Sequence, residues 1–309
     1  MKNTPHAEPV EARRTGLQPI DALTTTTCPT PAGRLFAVEA GAGAPVICLH
    51  GITANAYVWL PVMERLAADY RVVAIDQRGH GRSDRPASGY AAGDFAADIV
   101  ALIEALGAPA ILIGHSLGAR NALAAGLAAP DAVAAVVAID FVPFIEDAVL
   151  ASLAARVAGG NQRFADVAAV EAYLRQRYPL LSADAVERRA RHGYRRTDDG
   201  GLVPLADAAA MTATCAGLEA DLAGTLSAIA VPTLLMRGAA SKLVSPEAFR
   251  RARALRPDLP AIEIADADHY VPEEQPAAVV AAMRSFLGRI PPARRAGTSA
   301  RSDGAMANG

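Results

Sequence analysis

Two kinds of segment alternate along this chain, and they differ in how their apolar and polar positions are spaced. Short runs rich in Val, Ile and Leu are separated by longer Ala- and Leu-rich stretches with helical spacing. The short runs are PVICLH (45–50), RVVAID (71–76), AILIGH (110–115), AVVAID (135–140), PTLLMRG (232–238) and AIEIAD (261–266). Runs this apolar are typical of parallel strands that are buried on both faces. The pattern therefore predicts an α/β fold with a mostly parallel, doubly wound sheet.

The alternation stops between residues 141 and 228, where only helical periodicity is found, for example over 150–157 and 167–178. An all-helical insertion between two core strands is most simply a cap over the carboxyl edge of the sheet, where open α/β folds bind ligands. We therefore expect a core of residues 29–140 and 229–290, with a helical cap of residues 141–228 inserted after the sixth core strand. The polar ends, residues 1–28 and 291–309, have no periodicity and are predicted to be disordered.

Composition narrows the partners of this chain. Its 309 residues are 52% hydrophobic, which is enough for a large core, and the 30 basic and 32 acidic residues are well mixed. We therefore expect neither a nucleic-acid nor a membrane partner. Three widely spaced cysteines fit reduced thiols, and no export signal or membrane span is evident. The chain is expected to be cytoplasmic, to use no metal or cofactor and to act on a small molecule, while its oligomeric state stays open.

One motif carries a nucleophile. The strand AILIGH runs into GHSLGAR (114–120), and a helical segment follows. This is G-x-S-x-G in the strand–turn–helix context of a nucleophile elbow, in which glycines permit a sharp turn that presents the serine at the sheet edge. Ser116 is therefore the predicted nucleophile. The bare motif also occurs by chance, as a tight turn with an idle serine, so the strand and helix around it carry the inference.

A serine nucleophile needs a base, and the base needs an orienting acid. His269 follows the last core strand in ADADHY and lies after the serine in the chain, so it is the predicted general base. The loop after 232–238, where the acid usually lies, offers only Ser241 and Lys242. Asp140 ends the strand that follows the one carrying Ser116, and we predict that it is the acid. Asp266 and Asp268 are the alternatives, although both lie very close to His269 along the chain.

The predicted oxyanion hole consists of two backbone N–H groups. One belongs to Leu117, directly after the nucleophile. The other is expected from the loop HGIT (50–53), where a His-Gly pair lets the backbone approach closely, and we assign it to Ile52.

These motifs together resemble a known family. HGIT, DQRGHGRSD (76–84), GHSLGAR and ADHY (267–270) are similar to the α/β-hydrolase superfamily, in its meta-cleavage-product-hydrolase-like branch. GHSLGARN, AIDFVPFIE, VEAYLRQRYP, RGAASKLVS and RPDLP resemble a narrower family within it, the amidohydrolases of vitamin B6 degradation. The narrower resemblance covers residues 33–288, including the cap.

The resemblance implies a substrate and its contacts. Members of the narrower family cleave the amide of an unsaturated acetamido dicarboxylate and release acetate, and their acid follows the strand that here ends in Asp140. The positions that correspond to their substrate contacts are Arg156, Arg177, Tyr178 and Tyr270. A guanidinium fork suits a carboxylate, and this substrate carries two. The resemblance leaves open whether Ser116 forms an acetyl-enzyme or His269 activates water directly.

Two other functions stay open on the sequence alone. The same triad could serve a C–C bond hydrolase or an ester hydrolase of another small carboxylated substrate. A ligand-binding receptor of the same fold that has lost turnover is a further alternative, which the intact Ser116, Asp140 and His269 argue against.

Overall fold

The computed structural model of the protein describes residues 23–219 and 222–290, and its centre is one eight-stranded sheet. The strands are β1 (Thr24–Thr30), β2 (Gly33–Ala40), β3 (Pro45–Leu49), β4 (Arg71–Ile75), β5 (Ala110–His115), β6 (Val133–Ile139), β7 (Tyr194–Arg196), β8 (Leu202–Pro204), β9 (Thr233–Gly238) and β10 (Ala261–Ile264). Their order in the large sheet is β1-β2-β4-β3-β5-β6-β9-β10. All six predicted strands are present and run parallel to their neighbours among these six, which confirms the predicted fold class.

The amino-terminal edge of the sheet corrects one prediction. Residues 1–28 were expected to be disordered, but Thr24–Thr30 form β1, and β2 pairs antiparallel with both β1 and β4. Four of the first five residues of β1 are exposed threonines, because an edge strand meets the sheet on one side only. Such a polar strand has no apolar run by which it could be recognised. Residues 1–22 and the predicted carboxyl-terminal tail, 291–309, lie outside the described residues.

Helices cover both faces of the sheet. They are α1 (Leu60–Leu66), α2 (Ala92–Leu106), α3 (Leu117–Ala128), α4 (Asp147–Gly159), α5 (Val167–Arg177), α6 (Ala183–His192), α7 (Ala208–Ala216), α8 (Ala223–Ala228), α9 (Pro246–Leu255), α10 (Val271–Glu274) and α11 (Pro276–Leu287). Helices α1 and α11 pack into the apolar layer on one face, and α2, α3, α8 and α9 pack into the layer on the other. Burial on both faces explains why the central strands are apolar throughout.

Helices α4 to α7 lie within the segment 141–228, where α5 and α6 share a small core of their own, while α4 and α7 pack into the main core. Phe164, Val170 and Leu174 are buried there beside Val186 of α6. The segment was predicted to be all-helical, but β7 and β8 also form a short antiparallel hairpin within it. Three-residue strands with largely exposed arginines carry too little apolar pattern to predict this hairpin. Among the described helices, none has the length and apolar character that a membrane crossing requires.

Candidate active site

Ser116 occupies the sharp turn between β5 and α3. Its backbone has φ 54° and ψ −117°, a conformation that non-glycine residues adopt rarely and usually at functional sites. A side chain on Gly114 would place its Cβ 2.2 Å from the Gly118 carbonyl oxygen, and one on Gly118 would meet the Leu49 oxygen at 2.0 Å. Both glycines of the motif are therefore needed for the close packing that forces this turn.

The predicted base and acid are in contact. His269 Nδ1 lies 2.7 Å from Asp140 Oδ2, and Asp140 is completely buried behind the ring. The Ser116 amide donates to the Ile139 carbonyl at 2.8 Å, which fixes the serine against the strand that directly precedes Asp140. Because parallel strands end at the same edge, the serine and the acid lie on neighbouring strand ends. The structure thus brings Ser116, Asp140 and His269 to one edge of the sheet.

The loop after β9 supports this acid instead of supplying one. Ser241 donates its hydroxyl to Asp140 Oδ2 at 2.6 Å, and the Gly238 amide donates to Asp140 Oδ1 at 2.9 Å. The alternative acids point elsewhere, since Asp268 Oδ1 accepts from the Lys242 amide at 3.0 Å and Asp266 is exposed. The last residue of β9 and the loop after it, which has no carboxylate of its own, therefore each provide one hydrogen bond to Asp140.

A second histidine, His115, forms a hydrogen bond to the main chain of the predicted base. His115 Nε2 lies 2.6 Å from the backbone carbonyl of His269, and because a carbonyl oxygen only accepts, this nitrogen carries the proton. Burial, together with nearby His269, lowers the pKa of His115 well below its ordinary value. His115 is therefore neutral at physiological pH and fixes the main chain of His269 by a hydrogen bond.

A cavity in front of Ser116 is closed by the segment 141–228. The predicted site residues that line it are Ile52, Arg156, Arg177, His269 and Tyr270, together with Ser116 itself. Asp140 lies behind His269, and Leu117 begins α3, where its N–H has no partner within the helix. Tyr178 lines an adjoining cavity of ≈ 210 Å³ that also contacts Arg177.

Arg156 and Arg177 face this cavity without a counter-ion. Arg156 Nη2 donates to the Tyr270 hydroxyl at 2.5 Å, and Arg177 Nε donates to the Tyr178 hydroxyl at 3.1 Å. Within the described parts of the chain, neither arginine forms an ion pair with a carboxylate. Burial acts to raise the pKa of Tyr178, but Arg189 and Arg177 outweigh it and the pKa is lowered. The pocket is therefore electropositive and suited to an anionic ligand.

Within residues 23–219 and 222–290, no group of three or more His, Cys, Asp or Glu side chains is arranged to hold a metal ion.

Comparison with known proteins places this geometry in a family. The α/β-hydrolase fold family matches residues 44–276, which is most of the chain and includes the elbow and the predicted acid and base. The protein belongs to the α/β-hydrolase family.

Individual proteins similar to this α/β-hydrolase narrow the comparison beyond the family. It is 49% identical over 250 residues to the 2-(acetamidomethylene)succinate hydrolase of Mesorhizobium japonicum, covering 81% of this chain and 90% of that protein. The crystal structure of E-2-(acetamidomethylene)succinate hydrolase superposes with a TM-score of 0.85 at 46% identity, covering 86% of this chain and all of the other. A thioesterase domain from the curacin biosynthetic pathway superposes with a TM-score of 0.73 at 26% identity, covering 85% and 99%. The protein is therefore a hydrolase, as these relatives are.

Sequence reasoning missed several residues of the α/β-hydrolase site. Ser241 and His115 form hydrogen bonds to the predicted acid and the predicted base, and Arg189 and Glu273 form a buried ion pair beside the pocket. Only Ser241 left a signal, as the hydroxyl residue in the loop where an acid was expected. The partner of each residue lies far along the chain, so local patterns do not reveal the contacts.

Ser241→Ala should lower kcat of this α/β-hydrolase about tenfold, because Asp140 loses a hydroxyl donor to the oxygen that orients His269. A hydrogen bond to a charged group is worth about 1.5–3 kcal/mol. The measurement is steady-state hydrolysis of an aryl acetate. Ser245→Ala is the matched control, because Ser245 lies in the same loop and caps α9 without contacting Asp140. An unchanged kcat in Ser241→Ala, or an equal fall in the control, would contradict the assignment.

Proposed function

We propose that this enzyme hydrolyses the amide of (E)-2-(acetamidomethylene)succinate. The products are acetate and aminomethylenesuccinate, which then takes up water, releases ammonia and loses carbon dioxide to give succinic semialdehyde. The feature that supports this substrate most directly is the pair of guanidinium groups, Arg156 and Arg177, that have no carboxylate partner among the described residues and face the cavity of Ser116. The extent of the similarity to 2-(acetamidomethylene)succinate hydrolase, 81% of this chain and 90% of that protein, supports the same substrate.

The proposed first step is attack of Ser116 Oγ on the acetyl carbonyl. His269 Nε2 takes the serine proton, while Asp140 holds the Nδ1–H of the ring and stabilises the imidazolium that forms. The negative charge that develops on the carbonyl oxygen is stabilised by the N–H groups of Leu117 and Ile52. A donor of this kind is typically worth about 3 kcal/mol in the transition state.

The second half of the reaction releases both products. His269 returns its proton to the enamide nitrogen as the C–N bond breaks, which leaves an acetyl ester on Ser116. Water, deprotonated by His269, then attacks this ester and releases acetate. Arg156 and Arg177 bind the two carboxylates throughout, and Tyr178 and Tyr270, which accept hydrogen bonds from these arginines, complete the proposed binding site.

Efficient acetate release from (E)-2-(acetamidomethylene)succinate is the expected result for the wild-type enzyme. The measurement is steady-state turnover of this substrate beside the corresponding monocarboxylate amide, in which one guanidinium has no carboxylate to bind. We expect kcat/KM to be about 10- to 150-fold lower for the monocarboxylate, since the charge-assisted contact that is lost contributes about 1.5–3 kcal/mol. Cleavage of an aryl acetate without cleavage of either amide would retain the triad and reject this substrate.

A further inference from the structure

A buried ion pair joins the segment 141–228 to the core at the wall of the pocket, where Arg189 itself lines the cavity of Ser116. Arg189 of α6 donates through Nε to Glu273 Oε1 and Oε2 at 3.1 and 3.0 Å, and its Nη2 also donates to Oε2. Both side chains are buried, and Glu273 lies in α10, four residues after His269. The pair therefore connects the helix above the pocket to the segment that carries the base.

The guanidinium of Arg189 also contacts two aromatic rings. Its Cζ lies 4.5 Å from the ring centroid of Tyr178 and 4.9 Å from that of Tyr270. The two rings pack edge to face, with their centroids 4.7 Å apart. A buried cation at this distance from an aromatic face is attracted by the π-electrons, so Arg189 fixes both rings.

The hydroxyl of each ring holds one arginine of the pocket. The Tyr178 hydroxyl accepts from Arg177 Nε, and the Tyr270 hydroxyl accepts from Arg156 Nη2. Contacts therefore run without a break from Glu273 through Arg189 and the two tyrosines to both guanidinium groups. Each tyrosine uses its ring for Arg189 and its oxygen for a pocket arginine.

Stability alone does not account for this ion pair. Desolvation of two charges offsets much of their attraction, and well-packed apolar residues are often at least as stabilising at such positions. Glu273 also neutralises Arg189, and Arg188 Nη2 lies a further 3.8 Å from Glu273 Oε1. Two cations thus share one carboxylate, while Arg156 and Arg177 keep their charges available to a ligand.

We propose that Arg189 and Glu273 are a positioning pair, which acts through Tyr178 and Tyr270 to hold Arg156 and Arg177 at the spacing that binds two carboxylates. The inference deepens the proposed function because it concerns dicarboxylate recognition at the same site. It does not depend on which bond the enzyme cleaves.

Arg189→Met should raise the Kd for succinate about tenfold or more, in the range typical for residues that orient ligand-binding groups. Methionine fills space between the two rings, and Glu273 keeps Arg188 nearby. The measurement is calorimetric titration of the full chain with succinate, beside the KM of an aryl acetate, which has no carboxylate. We expect the change in Kd to exceed the change in KM by at least about fivefold. Equal changes in both would show a structural role at His269 and overturn the proposal.

The decisive comparison tests whether the effect of Arg189→Met on succinate binding depends on Arg156 and Arg177. In an Arg156→Gln/Arg177→Gln background, Arg189→Met should change the weak succinate Kd less than about twofold, because the groups that it positions are gone. The same fold-change in both backgrounds would overturn the proposal, as would a wild-type enzyme that does not bind succinate. If Arg189→Met does not fold, Arg189→Met/Glu273→Met removes the pair without an unpaired charge and carries the same expectation.

Failure of the proposed function is distinguishable from failure of this inference. An enzyme that binds succinate with the predicted coupling but does not cleave (E)-2-(acetamidomethylene)succinate would reject the amide substrate and retain the positioning pair. Cleavage of the amide without this coupling would retain the amide substrate and reject the positioning pair.

Discussion

Ser116→Ala will lower kcat for amide hydrolysis by about 10⁴- to 10⁶-fold, because removal of the nucleophile from a triad abolishes nearly all of its contribution. Acetate release under steady-state conditions measures the effect. The fold should survive, since alanine retains the Cβ at a position where the backbone is held by Gly114 and Gly118. Ser285→Ala, on the exposed face of α11, is the matched control and should leave kcat unchanged.

The same variant tests the acetyl-enzyme. With an aryl acetate, the wild-type enzyme should release a burst of phenolate close to one equivalent and carry an acetyl group that mass spectrometry locates on Ser116. Substantial turnover in Ser116→Ala, with no acetyl adduct on the wild-type chain, would contradict this route. It would favour direct activation of water by His269.

Asp140→Asn will lower kcat by about 10⁴-fold while leaving the protein folded. The Gly238 amide donates to Oδ1, so the NH₂ group of asparagine is directed to the Oδ2 position, where it faces His269 Nδ1. The Ser241 hydroxyl oxygen already accepts from the Leu243 and Val244 amides, so in this variant its O–H loses the carboxylate oxygen to which it donates. His269 Nδ1 must then accept a hydrogen bond, so the proton moves to Nε2 and the ring cannot take the proton of Ser116.

Asp266→Asn is the matched control for this prediction. It makes the same substitution three residues before His269, at an exposed position with φ 53° that asparagine tolerates. The measurements are kcat for an aryl acetate and circular dichroism of both variants. Near-wild-type turnover in Asp140→Asn, or a comparable loss in Asp266→Asn, would contradict the assignment of Asp140 and indicate that another carboxylate is the acid.

Much of the core was predictable because its signals are local. Central strands are buried on both faces, so 110–115 and its neighbours read as continuous apolar runs, and the elbow depends on glycines within the same seven residues. The edge strand β1 and the hairpin of β7 and β8 were not predictable, because their exposed polar residues carry no apolar pattern. Strand pairing alone places them, and it depends on residues elsewhere in the chain.

The sequence by itself determined the fold class and the tight turn at Ser116, because both follow from burial or from short-range steric limits. Only the tertiary structure decided that Ser241 supports Asp140 and that Glu273 holds Arg189, contacts that span 101 and 84 positions of the chain. Such contacts depend on where loops and helices meet after folding. In the sequence, a serine or an arginine that is buried against a carboxylate cannot be distinguished from one that is exposed to water. Only its position in the fold decides which of these two environments it has.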